Sequence, residues 1–213
     1  MDPILQLKGQ SPLTQGRSRL VFEHPDDPDL LVKVIRPEVV EDRYGGNTKW
    51  YKKRRRFGKF ISYIREIQEF IAVSETSEDS DPLLQRIVGF ARTDMGLGLV
   101  IVAVKSADGN LAPPLAQLIR ENTFDADARK ALDFTLEGLL KSNVIISDLN
   151  LGNLVYVEKK NKPSYFVLID GIGNNALLPF KAMSQTMNRR SKLKRFERLR
   201  RRIIRAEHEY QQK

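Results

Sequence analysis

The segment Ile146-Ser147-Asp148-Leu149-Asn150-Leu151-Gly152-Asn153, followed 17 residues after Asn153 by Asp170-Gly171, constrains this chain more than any other feature. Residues 125–143 ahead of it look helical. Two strand-like runs, Leu154–Glu158 and Tyr165–Ile169, lie between Asn153 and Asp170, joined by the turn Lys160-Asn161-Lys162-Pro163. The pattern predicts a helix, a polar loop, a short hairpin and an Asp-Gly turn in direct succession. Asp and Asn bond readily to nearby backbone and so turn loops. Either piece alone therefore reads equally well as a turn, and it is their combination, in this order and after a helix, that points to chemistry.

The rest of the chain fits around that segment. Residues 13–22 and 29–35 are apolar-rich and flank the turn-forming His24-Pro25-Asp26-Asp27-Pro28, which predicts a hairpin. Residues 38–50, with Gly45-Gly46-Asn47, read as a loop or irregular segment. A helix is expected over about 53–73, where Phe57, Phe60, Ile61, Ile64, Ile67 and Ile71 recur at helical spacing. Residues 74–82 are acidic and polar, hence a surface loop. Ile87–Ala91 and Leu97–Val104 then form a second hairpin, and Ala107–Pro114 is the expected hinge. Residues 115–122 look helical, and a long basic helix runs from about Leu177. Strands followed by helices predict an α+β fold rather than an alternating parallel one.

Composition narrows the chemistry. The chain has 213 residues, no cysteine and only two histidines, His24 and His208. Disulfides, thiolate metal sites and Cys nucleophiles are excluded, and a Ser-His-Asp triad has almost no material. Catalysis would rest on carboxylates, lysine or a bound metal. The N-terminus does not read as a secretion signal, and no apolar run approaches the roughly 20 residues that span a bilayer. The expected location is the cytoplasm.

The Asp148…Asn153 segment and Asp170-Gly171 resemble the catalytic loop and metal-binding turn of kinases. A phosphoryl group in transfer carries dispersed negative charge, which Mg²⁺ held by oxygen ligands offsets. Asp170 and the amide oxygen of Asn153 are the expected ligands, and Asp148 the group that orients or deprotonates an attacking hydroxyl. Lys33 sits inside the apolar run Leu31–Ile35. A buried ammonium needs an acidic or phosphate partner, and the position is similar to the kinase strand lysine that bridges ATP phosphates and a helix glutamate. An edge-strand lysine facing solvent is the alternative. Glu66, beside Ile67 and on a face with Phe70, is the expected partner, with Glu69 as fallback. Gly16 and Ser18 stand where a phosphate-covering loop belongs, with one glycine where such loops often have three.

Taken in order, Pro12-Leu13, Gly16-Arg17, Arg19, His24-Pro25, Lys33-Val34, Arg65-Glu66-Ile67, Asp148…Asn153-Leu154, Asp170-Gly171-Ile172-Gly173 and Leu178-Pro179 resemble the PhoP regulatory network protein family, YrbL-like. The resemblance implies a small two-lobed protein-kinase-like fold with a shortened C-terminal lobe, regulated through a two-component network. Residues 1–106 would form the N-terminal lobe and 107–188 the C-terminal one, followed by a basic helix, 189–213. Ile146 replaces the histidine of the kinase H-R-D motif, no A-P-E segment follows Asp170, and 43 residues remain after it. A small-molecule or lipid-linked acceptor is therefore expected rather than a protein.

Charge is uneven. Net charge is +9, and residues 189–213 hold eleven Lys/Arg against three Glu, a surplus of eight. Leu193, Phe196, Leu199, Ile203, Ala206 and Tyr210 make an apolar stripe there, so this helix either docks on the C-terminal lobe with solvated arginines outside or binds an anionic surface, headgroups or nucleic acid. Lys52–Arg56 is a second basic cluster. The expected function is an ATP- and Mg²⁺-dependent phosphotransferase. A nucleotide-binding pseudokinase-type regulator and a polyanion-binding adaptor are the alternatives.

Overall fold

The computed structural model describes residues 3–44, 57–74, 83–159, 162–173 and 184–211. The chain forms two compact units. One is Met1–Ile67 with Arg86–Ala103, the other Gln68–Gln85 with Val104–Lys213. The expected boundary at 106/107 thus lies at 103/104. Residues 68–85 count with the second unit, where Glu69 and Val73 have their partners, and the basic helix is an integral part of that unit. Residues 105–111, which include the first part of the expected hinge Ala107–Pro114, belong to the second unit. They close on themselves inside the second unit through a Lys105–Leu111 bridge and a Ser106 N–H bond to Asn110 O (2.9 Å).

In the first unit, β1 (Thr14–Gln15), β2 (Arg19–His24), β3 (Asp27–Ile35), β4 (Ile87–Thr93) and β5 (Gly96–Val102) make one antiparallel sheet in the order β1-β2-β3-β5-β4. β3 lies between two neighbours and is buried on both faces. Leu31 and Ile35 point to one side with Tyr63, Leu99 and Ile101. Val32 and Val34 point to the other with Phe22, Leu5 and Leu7. Side chains alternate along a strand, so Lys33 shares the face of Leu31 and Ile35. That face is covered by a single 3₁₀ turn (Gly58–Phe60) and the helix after it, α2 (Ile61–Ser74). The Tyr63 hydroxyl pins the helix to the sheet by donating to Lys33 O at 2.9 Å, and burial pushes that phenol up.

One helix escaped the periodicity. Pro37–Tyr44 is helical, α1, where a loop was expected. Pro37 occupies the first helical position, where its missing N–H costs nothing, and Glu38 lies in the first turn. Its eight residues are too few to show a stripe. Gly45-Gly46-Asn47, Lys52–Arg56, most of the acidic loop, Lys160-Asn161 and Leu178-Pro179 lie outside the described residues, as do the expected helix starts near 53 and 177.

The second unit is built on α4 (Ala126–Lys141), with Asp125 capping it by accepting from Asp127 N and Ala128 N at 3.0 and 2.9 Å. The short helix α3 (Leu115–Arg120) precedes it. The hairpin β6 (Leu154–Val157) and β7 (Tyr165–Leu168) packs on α4, where the fully buried Thr135 hydroxyl accepts from Phe166 N at 2.8 Å. The last helix, α5 (Gln185–Gln211), places Phe196, Leu199 and Ile203 in this core. Leu193 and Tyr210 of the expected stripe stay outside, 39% and 43% exposed. The buried face runs back instead through Lys192 and Asn188.

Candidate functional site

Within the first unit Lys33 is 4% exposed and its Nζ stands 3.6 Å from Glu66 Oε2. The edge-lysine alternative fails because β3 is a central strand. Glu66 is equally buried and also ion-pairs Arg19 of β2 through its other oxygen, so one carboxylate orients two cations on the helix-covered face of the sheet. Sequence reading gave no role to Arg19. Arg19 opens β2 and is buried there.

Glu69, one turn along α2, does different work. It accepts from Ile145 N at 2.7 Å, in the second unit, and burial pushes its carboxyl up.

Gly16 and Ser18 form the β1–β2 hairpin tip. The Gly16 N–H donates to Arg19 O (2.9 Å), and Ser18 O accepts from Arg36 N (3.0 Å). The Gly16 amide is therefore engaged by its own hairpin rather than held out for a ligand. The tip is a tight turn, shorter than a glycine-rich phosphate loop.

In the second unit the structure brings Asp148, Asn150, Asn153 and Asp170-Gly171 together. Ser147 N and Asp148 N both donate to Gly171 O at 2.7 and 2.9 Å, Gly173 N donates to Ile145 O at 2.8 Å, and Ile169 N to Asn153 O at 2.9 Å. The loop and the turn are thus laced into one short ladder around the Ile146–Ile172 bridge. Gly171 has φ +78°, and a Cβ there would collide with the Asp148 carbonyl oxygen, so only glycine fits. Asn150 Nδ2 donates to Asp148 Oδ2 (2.9 Å), while Asn150 Oδ1 accepts from Gly152 N (2.9 Å). Asn153 Nδ2 donates to Asp148 O (3.2 Å), so of its side-chain amide it is the oxygen that could serve a cation. Asp148 is exposed. Ile146, standing for the kinase histidine, is 1% exposed in the core.

Among the described residues no three His, Cys, Asp or Glu cluster as a dedicated metal cage. Asp170 and Asn153 instead offer one carboxylate and one amide oxygen. That is the sparse, hard donor set with which Mg²⁺ is held when water and phosphate supply the rest.

A lysine in strand 3 paired to a helix glutamate, then an Asp…Asn loop, a hairpin and an Asp-Gly turn follow the order of a kinase-like chain. The family model described as PhoP regulatory network protein YrbL matches residues 5–204. The YrbL proteins of Escherichia coli (strain K12) and Shigella flexneri are each 24% identical over 186 residues, covering 85% of this chain and 80% of theirs. The kinase domain of PknI from Mycobacterium tuberculosis is similar at TM-score 0.41 and 15% identity, over 75% of this chain. The chain spans 56% of that domain's length. Among the described residues no helix is long and apolar enough to cross a membrane.

Proposed function

The chain belongs to the PhoP regulatory network protein YrbL family, and from that premise we propose that it is an ATP- and Mg²⁺-dependent phosphotransferase acting on a small or lipid-linked alcohol. The observation that carries the reading is the Lys33–Glu66 pair, two charges almost wholly removed from water on the covered face of a central strand. Such burial is costly, and a hydrophobic pair of the same volume would usually serve stability as well. A retained lysine of this kind suits contact with phosphate oxygens, with Glu66 fixing its direction. Bound Mg²⁺ would supply charge neutralisation of the phosphates, with Asp170 and Asn153 as its protein ligands. Asp148, held by Asn150 and by the Gly171 ladder, would take the proton of the acceptor hydroxyl. The hydroxyl oxygen bonds to the γ-phosphorus, the bond from that phosphorus to the ADP oxygen breaks, and ADP leaves with the electron pair.

Thermal unfolding with millimolar ATP, with and without Mg²⁺, tests binding. Saturation at a hundred times Kd adds about 2.7 kcal/mol, and no Mg²⁺-dependent shift would overturn the reading. Turnover of ATP should fall about 10²–10⁴-fold in Asp148→Asn while the shift remains.

A second reading, nucleotide binding without turnover by a pseudokinase-type regulator, is favoured by one observation. The Gly16 amide is engaged within its hairpin, which leaves the phosphates less covered. A wild-type thermal shift with no turnover that Asp148→Asn abolishes would select it.

A further inference from the structure

The arginines of α5 are not one solvated basic face. On the flank turned to α4, charge is neutralised locally: Arg200 pairs with Asp133 at 3.1 Å, and Glu207 of α5 pairs with Arg129. On the opposite flank, Arg195, Arg198, Arg202 and Arg205 recur at spacings of 3, 4 and 3, which aligns them in one row. Among the described residues none of these four is in an ion pair. At 1.5 Å per residue the stretch from Arg195 to Arg202 is about 10 Å long.

This row lies along the Asp148 loop. Arg202 Nη1 donates to Leu149 O at 3.4 Å, and Leu149 packs in the same core as Phe196, Leu199 and Ile203. Arg195 is half-buried, and its Nε is shut off from water with no hydrogen-bond acceptor among the described residues. Burial and the neighbouring Arg198 both weaken its hold on its proton, while the Asp148 carboxylate works the other way. Arg195 thus feels the Asp148 carboxylate and has a buried donor unsatisfied, Arg202 reaches the backbone of the next residue, Leu149, and Arg198 lies between them in the row. A helix held only by its apolar stripe has no reason to concentrate like charges there, since like charges at such spacings destabilise a helix. An anion removes the conflict. Guanidinium forks match phosphate oxygens two at a time, better than they match a single carboxylate each.

We propose that Arg195, Arg198 and Arg202 hold a phosphate group of the acceptor, so that the substrate is a phosphate-bearing alcohol whose free hydroxyl reaches Asp148. This deepens the phosphotransferase reading and rests on it. A soluble polyol phosphate and a phospholipid headgroup present the same chemistry.

The full chain is titrated, without nucleotide, with glycerol 3-phosphate and with vesicles of phosphatidylglycerol in phosphatidylcholine. Glycerol and pure phosphatidylcholine vesicles serve as neutral controls. Binding of the free phosphate identifies a soluble acceptor class, binding of the anionic vesicles alone a headgroup, and either supports the site. Arg198→Gln/Arg202→Gln should weaken that binding about tenfold or more, whereas the charge-matched Arg189→Gln/Arg200→Gln, on the other flank, should change it less than about twofold. Equal loss in both double variants would mean attraction by bulk charge and would overturn the proposal, as would binding of neither anionic probe. The MgATP thermal shift is read on the same three proteins. A wild type that binds the anionic probes but not nucleotide sinks the phosphotransferase reading. One that binds nucleotide and ignores both anions sinks this inference alone.

Discussion

Lys33 and Lys192 are both buried lysines, 4% and 1% exposed, yet they are buried for different reasons. Lys33 stands in a strand of the first unit with a carboxylate, Glu66, at 3.6 Å. Lys192 lies on α5 in the second unit and spends its protons on backbone. It donates to Leu139 O and Ser142 O at 2.7 and 2.6 Å, the unsatisfied carbonyls at the end of α4. Asn188, one turn earlier, does the same for Asn143 O and Val144 O at 3.1 Å each. With Glu69 holding Ile145 N, every residue from 142 to 145 is gripped by a side chain just before Asp148. The comparison teaches that a buried charge with an orienting carboxylate is suited to a ligand, whereas one filled by main-chain carbonyls is scaffolding.

The comparison can be broken most directly at Lys192. Lys192→Met keeps the volume but strips two buried carbonyls of a charged donor, so stability should drop by about 3 kcal/mol, lowering the unfolding midpoint by about 6–12 °C. A near-neutral result would mean that the α4 end needs no clamp. Glu69→Ala removes the acceptor from a buried N–H and should cost about 2 kcal/mol, measured by urea unfolding. MgATP-induced stabilisation should survive in the folded fraction.

The pH profile sharpens the contrast. Burial pulls the Lys192 ammonium down to about 8 from its usual 10.5, against the opposing pull of Glu69. Between pH 8 and 10.5 the unfolded chain therefore holds a proton that the folded chain lacks, and stability contributed at this site rises with pH. Wild type should gain on Lys192→Met by about 1–2 kcal/mol from pH 8 to 10. Tyr63 acts in the opposite direction above pH 10 and is common to both proteins. A flat difference would show that Lys192 stays charged throughout. The smallest stability effect belongs to Lys33→Met, under about 1 kcal/mol, because Glu66 keeps Arg19 as a partner.

Much of this was legible in the chain. Lys33 announced itself as a charge among Leu31, Val32, Val34 and Ile35, and Asp148, Asn153 and Asp170 by order and spacing. Lys192 was hidden, since it sits among ten other Lys/Arg of the tail and composition makes it look solvated. Only the docking of Phe196, Leu199 and Ile203 turns position 192 inward. Arg19 was missed for a related reason, because a two-residue β1 and a three-residue tip leave too little pattern to say which side of β2 faces α2. The division of α2 between the two units also escaped reading. Helix α2 is one continuous stripe in sequence, while its last turns find their partners in the second unit. No local pattern marks such a change of partner.

The central claim is that Lys33 serves a nucleotide and Lys192 serves the fold. Calorimetric titration of MgATP into wild type, Lys33→Met and Lys192→Met, each below its unfolding midpoint, tests it most directly. The account predicts ATP binding in wild type and Lys192→Met with affinities within about threefold, and a loss of at least about tenfold in Lys33→Met. Equal affinity in wild type and Lys33→Met would contradict it.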